Sequence, residues 1–159
     1  MRQAHLWTEQ ASAFVAAARV GHLATVRPDG SPHVVPICFA FDGETLFSVI
    51  DLKPKRAGPE SLQRIRNITA HPAATLLIDH YAEDWSRLGF VMVTGRADVL
   101  RNGEVRDKAI GLLREKYPQY GEMDLDGRPV IRLVPERVAS WGWLATTPTP
   151  LQDSSLRSG

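Results

Sequence analysis

The amino-acid sequence predicts a mainly β fold, an antiparallel barrel with helices inserted at its ends. Several short apolar strands follow one another with tight-turn chemistry between them. They do not alternate regularly with helices, so the pattern gives no basis for a parallel βαβ sheet. Neither G-x-G-x-x-G nor a Walker motif is present, which argues against a Rossmann fold.

The elements follow in order. Thr8 is placed to cap a helix in which Glu9 is acidic in the first turn and Ala11, Phe14, Val15 and Ala18 recur at helical spacing; Gly21 is expected to end it. His22 to Arg27 reads as the first strand, and Pro28-Asp29-Gly30-Ser31 as a tight turn. His33 to Phe41 is the second strand, with His33, Val35, Ile37, Phe39 and Phe41 on one face. Asp42-Gly43 marks a hairpin into the third strand, Thr45 to Ile50. A loop from Asp51 to Gly58 leads to a helix over Pro59 to Thr69, stopped by Ala70-His71-Pro72. Ala74 to Asp79 and Phe90 to Leu100 are the fourth and fifth strands, the latter bent or bulged at Gly95. Glu104 to Tyr117 is a helix ended by Pro118. Val130 to Val134 and Arg137 to Trp143 make a sixth strand, interrupted at Pro135.

Composition bounds the function. The chain has 159 residues, 43% hydrophobic and 23% charged, which suits a single globular domain over residues 1–145 with a Thr-, Pro- and Ser-rich tail over 146–159. Nineteen Lys and Arg against 18 Asp and Glu give a net charge of +1, which argues against a surface built wholly for nucleic acid or membrane. The apolar stretches are too short to span a bilayer, and the amino terminus lacks a secretion-signal layout. A single cysteine, Cys38, excludes an intrachain disulfide framework and suits a reducing cytoplasm. The five histidines show no paired metal-ligand spacing, so no metal site is expected.

Three features carry chemistry. Lys53, Lys55, Arg56, Arg64 and Arg66 are opposed only by Glu60, a local excess of four cations in a chain whose total is +1. Such a run, at a loop entering a helix, suits a phosphate; its bland alternative is a solvated basic surface. Aromatic residues do not interleave with it, which disfavours nucleic acid. Pro36, inside an apolar strand, belongs at an edge, a bulge or a split, because proline donates nothing to a sheet ladder. It is either an ordinary edge-strand proline or, beside Val34 and Val35, part of a flat seat for a planar heterocycle. The segment Asp79 to Arg87 carries Tyr81 and Trp85 and has the composition of a functional loop or a subunit contact. Trp141 and Trp143, two apart, are expected on one face of the last strand, for core packing or for stacking on a ligand.

The pattern Gly21, Leu23, Ala24, Thr25, Val26, Asp29, Gly30, Pro32, Pro36 resembles the opening of the flavin- and deazaflavin-binding split-barrel superfamily, which includes pyridoxamine 5′-phosphate oxidase. The runs Asp51-Leu52-Lys53-Pro54-Lys55 and Leu62 to Ile68, followed by Asp79-His80-Tyr81 with Asp84-Trp85, are similar to an actinobacterial branch, the F420-dependent oxidoreductases of that class. The resemblance spans roughly residues 8 to 143. It implies a six-stranded split barrel and a homodimer with a cofactor at each subunit interface. By resemblance, the ring rests against His33, Val34, Val35 and Pro36. Ser48, Lys53, Lys55 and Arg56 grip the phosphate, supported by Asn67. Either the loop around Tyr81 and Trp85 or the strand bearing Trp141 and Trp143 reaches in from the other subunit. The implied cofactor is coenzyme F420, with FMN as the alternative, and the implied activity is hydride transfer to a small electrophilic acceptor. A non-enzymatic cofactor carrier is the rival from another class. The longer carboxy-terminal signature of pyridoxamine phosphate oxidation itself is absent.

Overall fold

A computed structural model describes residues 6–51 and 62–145. Helix α1 spans Glu9–Ala17, and the Thr8 hydroxyl accepts from the Ala11 amide at 3.0 Å to cap it. The helix stops four residues before the expected glycine, because Gly21 opens β1 (Gly21–Val26) instead. A β-carbon at Gly21 would meet Leu76 Cδ1 of the neighbouring strand at 2.8 Å, so the glycine leaves room for that side chain.

The remaining elements are β2 (Pro32–Ile37), β3 (Ala40–Phe41), β4 (Leu46–Val49), α2 (Gln63–Ala70), β5 (Ala73–His80), β6 (Gly89–Leu100), α3 (Glu104–Lys116) and β7 (Val130–Gly142). They form one antiparallel sheet in the order β2-β1-β5-β6-β7-β4-β3. The described residues thus hold seven strands where six were expected, because the stretch read as one strand over His33–Phe41 divides at Cys38 and Phe39. Alternation holds along β2, with Val34 and Pro36 exposed between half-buried His33, Val35 and Ile37. Phe39 and Ala40 are then both buried, which consecutive residues of a straight strand facing solvent on one side do not manage. The chain has turned a corner.

That corner closes the barrel. β2 and β3 are the two edges of the sheet, yet three Cα–Cα steps separate Ile37 from Ala40, at most about 11 Å. The edges must therefore face each other, and the sheet curls into a split barrel. Pro36 lies on an edge strand, where its missing N–H costs no ladder bond. The corner is clasped from α3: the Tyr117 hydroxyl accepts from the Phe39 amide at 3.1 Å and donates to the Arg19 carbonyl at 2.8 Å. Lys116 Nζ donates to the Phe39 carbonyl at 3.0 Å and stands 4.0 Å from the centre of the Phe39 ring.

β7 runs unbroken through Pro135, and the expected interruption is a bulge. Thr94 pairs with Arg137 and Gly95 with Pro135, leaving Glu136 as the extra residue. A β-carbon at Gly95 would run into the Val134 carbonyl oxygen, so only glycine fits there. One core fills the barrel, where Leu23, Phe39, Leu46, Leu76, Val91 and Val93 meet Phe14 and Val15 of α1 and Ile65 and Ile68 of α2. A second packs Ala109, Leu113 and Tyr117 of the α3 region against Phe47, Val49 and Val130. Among the described residues, no helix is long and apolar enough to cross a membrane.

Two measurements check this packing. Gly95→Ala should cost at least about 3 kcal/mol in denaturant unfolding, as expected for a backbone clash. Gly111→Ala, at an exposed α3 position where a β-carbon meets nothing within 4 Å, should gain about 0.5–1 kcal/mol. Burial, and then the neighbouring Arg19 charge, push the Lys116 ammonium down from 10.5 to about 8. Between those values the unfolded chain holds a proton that the folded chain has released, so Lys116 adds stability as pH rises through that window. The urea midpoint of the native chain, relative to Lys116→Met, should therefore climb from pH 7.5 to pH 10; a flat difference would place Lys116 in water.

Candidate functional site

The site begins on α2. With Ile65 and Ile68 turned into the barrel core, Arg64 and Asn67, three residues apart, share the flank beside them. Asn67 is completely buried; its amide donates to Thr25 Oγ1 of β1 at 2.9 Å and accepts from Gln63 Nε2 at 2.7 Å. Thr25 is level with His33 of β2, so Asn67 anchors α2 beside His33.

Around this anchor the charges are arranged tightly. Burial lowers the pKa of His33 below the ordinary histidine value, and the Arg27 and Arg64 charges lower it further, so its imidazole is neutral at pH 7. Arg64 is itself held down by burial, while Asp51 and Tyr120 pull the other way. The Tyr120 hydroxyl donates to Asp51 Oδ2 at 2.7 Å, and burial followed by this hydrogen bond raises its pKa. His33 Nδ1 and Arg64 Nε are both buried without a hydrogen-bond partner among the described residues. An unmet buried polar group costs about 1–3 kcal/mol. Two such atoms stand within electrostatic reach of each other.

The expected residues do not all meet in one protomer. His33 and Val35 point inward from β2, while Val34, 60% exposed, and Pro36 point outward. Ser48 is buried, and its hydroxyl donates to the Cys38 carbonyl at 2.8 Å, tying β4 to the barrel corner. Lys53, Lys55 and Arg56 lie outside the described residues, between Asp51 and α2. Tyr81, Trp85 and Trp143 are exposed at the other end of the sheet. Val34 is level with Ala24, which is level with Thr75; Tyr81 is six residues beyond Thr75, about 20 Å along the strand. Trp141 and Trp143 do not share a strand face. Gly142, at φ +82°, ends β7 between them. Trp141 stacks on Phe90 at 5.8 Å, whereas Trp143 lies against His80 at 6.2 Å and under Arg87 at 5.5 Å.

Sequence reasoning missed Arg27, Asp51, Phe90 and Tyr120 as neighbours of these groups. Arg64 it counted only as part of a charge run. The helical period of Ile65 and Ile68 was the available signal, since it places Arg64 on a flank that the sheet partly covers.

A family model for pyridoxamine 5′-phosphate oxidase matches residues 7–142. The chain belongs to the pyridoxamine 5′-phosphate oxidase family. This is an oxidoreductase-type, flavin- and deazaflavin-binding family, and the curled antiparallel sheet is its split barrel. The chain is 26% identical, over 86% of its own length and 83% of the relative's, to a 5a,11a-dehydrotetracycline/5a,11a-dehydrooxytetracycline reductase of Streptomyces rimosus. A solved F420 reductase superposes with a TM-score of 0.59 at 25% identity, over 84% of this chain and 98% of that one. A heme-binding protein from Mycobacterium smegmatis shares the fold, with a TM-score of 0.69 at 21% identity over 85% of this chain and 53% of that one.

In this member of the pyridoxamine 5′-phosphate oxidase family, the His33 imidazole should titrate below the ordinary histidine value in an NMR pH series. Arg64→Met should move that midpoint upward by removing a neighbouring positive charge. An unchanged midpoint would separate the two residues.

Proposed function

We propose that this protein is a reductase that uses reduced coenzyme F420, works as a homodimer, and acts on a small electrophilic acceptor. The observation that carries the reading is the half-buried Arg64 guanidinium, whose Nε is unmet among the described residues, within electrostatic reach of His33 and eight residues after Arg56 in the sequence. One phosphate needs two or three cations. A surplus suits a cofactor that bears a phosphodiester and an anionic oligoglutamate tail, and so favours F420 over FMN. The kinship with a reductase and the likeness to an F420 reductase support the same reading.

The chain's own residues have definite parts in it. Val34 and Pro36, exposed side by side on the outer face of β2, offer an apolar seat for a planar ring. Lys53, Lys55 and Arg56 would hold the phosphate, and the Asn67 hydrogen bonds to Gln63 and Thr25 fix α2, which carries Arg64. The reduced deazaflavin, when bound, supplies a hydride. His33, neutral at pH 7, adds no positive charge there. Tyr81 stands about 20 Å from Val34 along the strands of one protomer, and Trp85 and Trp143 lie exposed at the same end of the sheet. They would meet the ring only across a two-fold interface, where Phe90 and Trp141 extend the same aromatic surface.

Titration of the purified protein with F420, FMN and hemin tests the cofactor. Micromolar affinity for F420 with FMN at least about tenfold weaker is expected, and the reverse order would sink the proposal. Lys55→Ala and Arg64→Met should each weaken F420 by about 1.5–3 kcal/mol. Reduced F420 should be consumed with at least one of a panel of quinones, tetrapyrroles and nitroaromatics; consumption with none would make the protein a carrier. Mixing an Arg64→Met copy with a Trp85→Ala copy should restore part of the binding that each loses alone. Failure to complement would confine the site to one protomer.

A further inference from the structure

A cleft of about 680 Å³ lies between α2, β6 and β7, on the β6 side of α2, whereas Asn67 faces β1 on the other side. Its size falls within the range of small-molecule sites. Ile68, Pro72, Val99 and Val134 give it an apolar wall, and Arg96 and Glu136 stand at its surface.

Strand alternation puts Glu136 there, beside Arg132 and Val134. Glu136 is the extra residue of the β6–β7 bulge, the one without a place in the ladder, and the bulge requires the Gly95 position that no other residue fills. Along β7, Arg132, Val134 and Glu136 alternate with buried Ile131, Leu133 and Pro135, so all three face the cleft. A carboxylate thus stands on a cleft already lined by a guanidinium.

The other acid and base of the cleft are satisfied. Arg132 donates through Nε and Nη2 to both oxygens of Asp98, at 2.9 and 2.7 Å. Arg101 also borders the cleft and has an interaction of its own. Arg96 and Glu136 differ: both are exposed, and neither has an ion-pair or hydrogen-bond partner among the described residues, not even each other. Opposite charges on one cleft with an apolar wall complement a ligand that carries both charges on an apolar body.

We infer that this cleft is a second binding site, distinct from the His33–Arg64 site, for a small zwitterion of the apolar α-amino acid class. The Arg96 guanidinium would receive the carboxylate, Glu136 the ammonium, and the wall from Ile68 to Val134 the side chain. Each charge on the ligand then meets its opposite, and neither residue pays desolvation without a partner.

Three probes of one shape test it by calorimetry on the full chain: L-phenylalanine, 3-phenylpropanoate, which lacks the ammonium, and 2-phenylethylamine, which lacks the carboxylate. L-Phenylalanine should bind with a Kd of about 1 mM or below, and each truncated probe at least about tenfold more weakly. Arg96→Gln and Glu136→Gln, both at exposed positions, should each weaken L-phenylalanine at least about tenfold while leaving F420 titration and circular dichroism unchanged. 3-Phenylpropanoate binding as tightly as L-phenylalanine would make this a simple anion site and overturn the proposal. So would L-phenylalanine binding that both variants leave intact, or no binding up to about 10 mM. The readout involves no cofactor, so it stands or falls apart from the reductase reading.

Discussion

The two-residue corner at Cys38 and Phe39 is the constraint on which the molecule depends. It joins the two edges of a seven-stranded sheet, so the sheet has no choice but to curl. Everything that holds the corner is therefore holding the barrel. Ser48 bonds the Cys38 carbonyl from β4, Tyr117 bonds the Phe39 amide from the end of α3, and Lys116 bonds the Phe39 carbonyl while covering its ring. The Phe39 side chain itself is wholly inside the barrel core. Backbone polarity and side-chain burial are satisfied at the same two residues, which is why a turn this abrupt is stable.

Closure also explains why functional chemistry collects where it does. An edge strand must leave part of its backbone unpaired, and β2 presents Val34 and Pro36 on that exposed edge. α2 lies across the adjoining strand, pinned by the Asn67–Thr25 hydrogen bond, and this brings Arg64 within electrostatic reach of His33. A cation and an imidazole, each with a buried nitrogen lacking a partner among the described residues, gather there. The aromatic residues Tyr81, Trp85 and Trp143 stand exposed at the other end of the sheet.

Much of this was legible in the sequence because it rests on local chemistry. The Thr8 cap, the turn at Asp29-Gly30 and the hairpin at Asp42-Gly43 are short-range hydrogen-bond and dihedral preferences. Pro36 announced an edge through its missing N–H, and Gly95 announced the bulge. What misled were residues whose local preference yielded to packing. Gly21 resembles a helix stop but serves the approach of Leu76. The period-two pattern over His33–Phe41 continues through Phe39 on paper, yet the strand ends there because Phe39 and Ala40 are both needed inside. Trp141 and Trp143 part company because Gly142 turns the backbone between them.

The sequence by itself determined the fold class, the order of nearly all the elements, the local cation excess and the family, since periodicity, turn residues and motif spacing are properties of neighbours along the chain. Only the tertiary structure decided which charges stand unsatisfied. Asn67 became an anchor while Arg64 kept an Nε unmet among the described residues, although the two sit three residues apart on one helix flank. Likewise Arg132 found both oxygens of Asp98 across the β6–β7 ladder while Arg96, two residues from Asp98 along β6, found no acid among the described residues. Partners such as these are 34 or 42 residues apart in the chain, and their meeting depends on strand register and barrel closure, which no local pattern encodes.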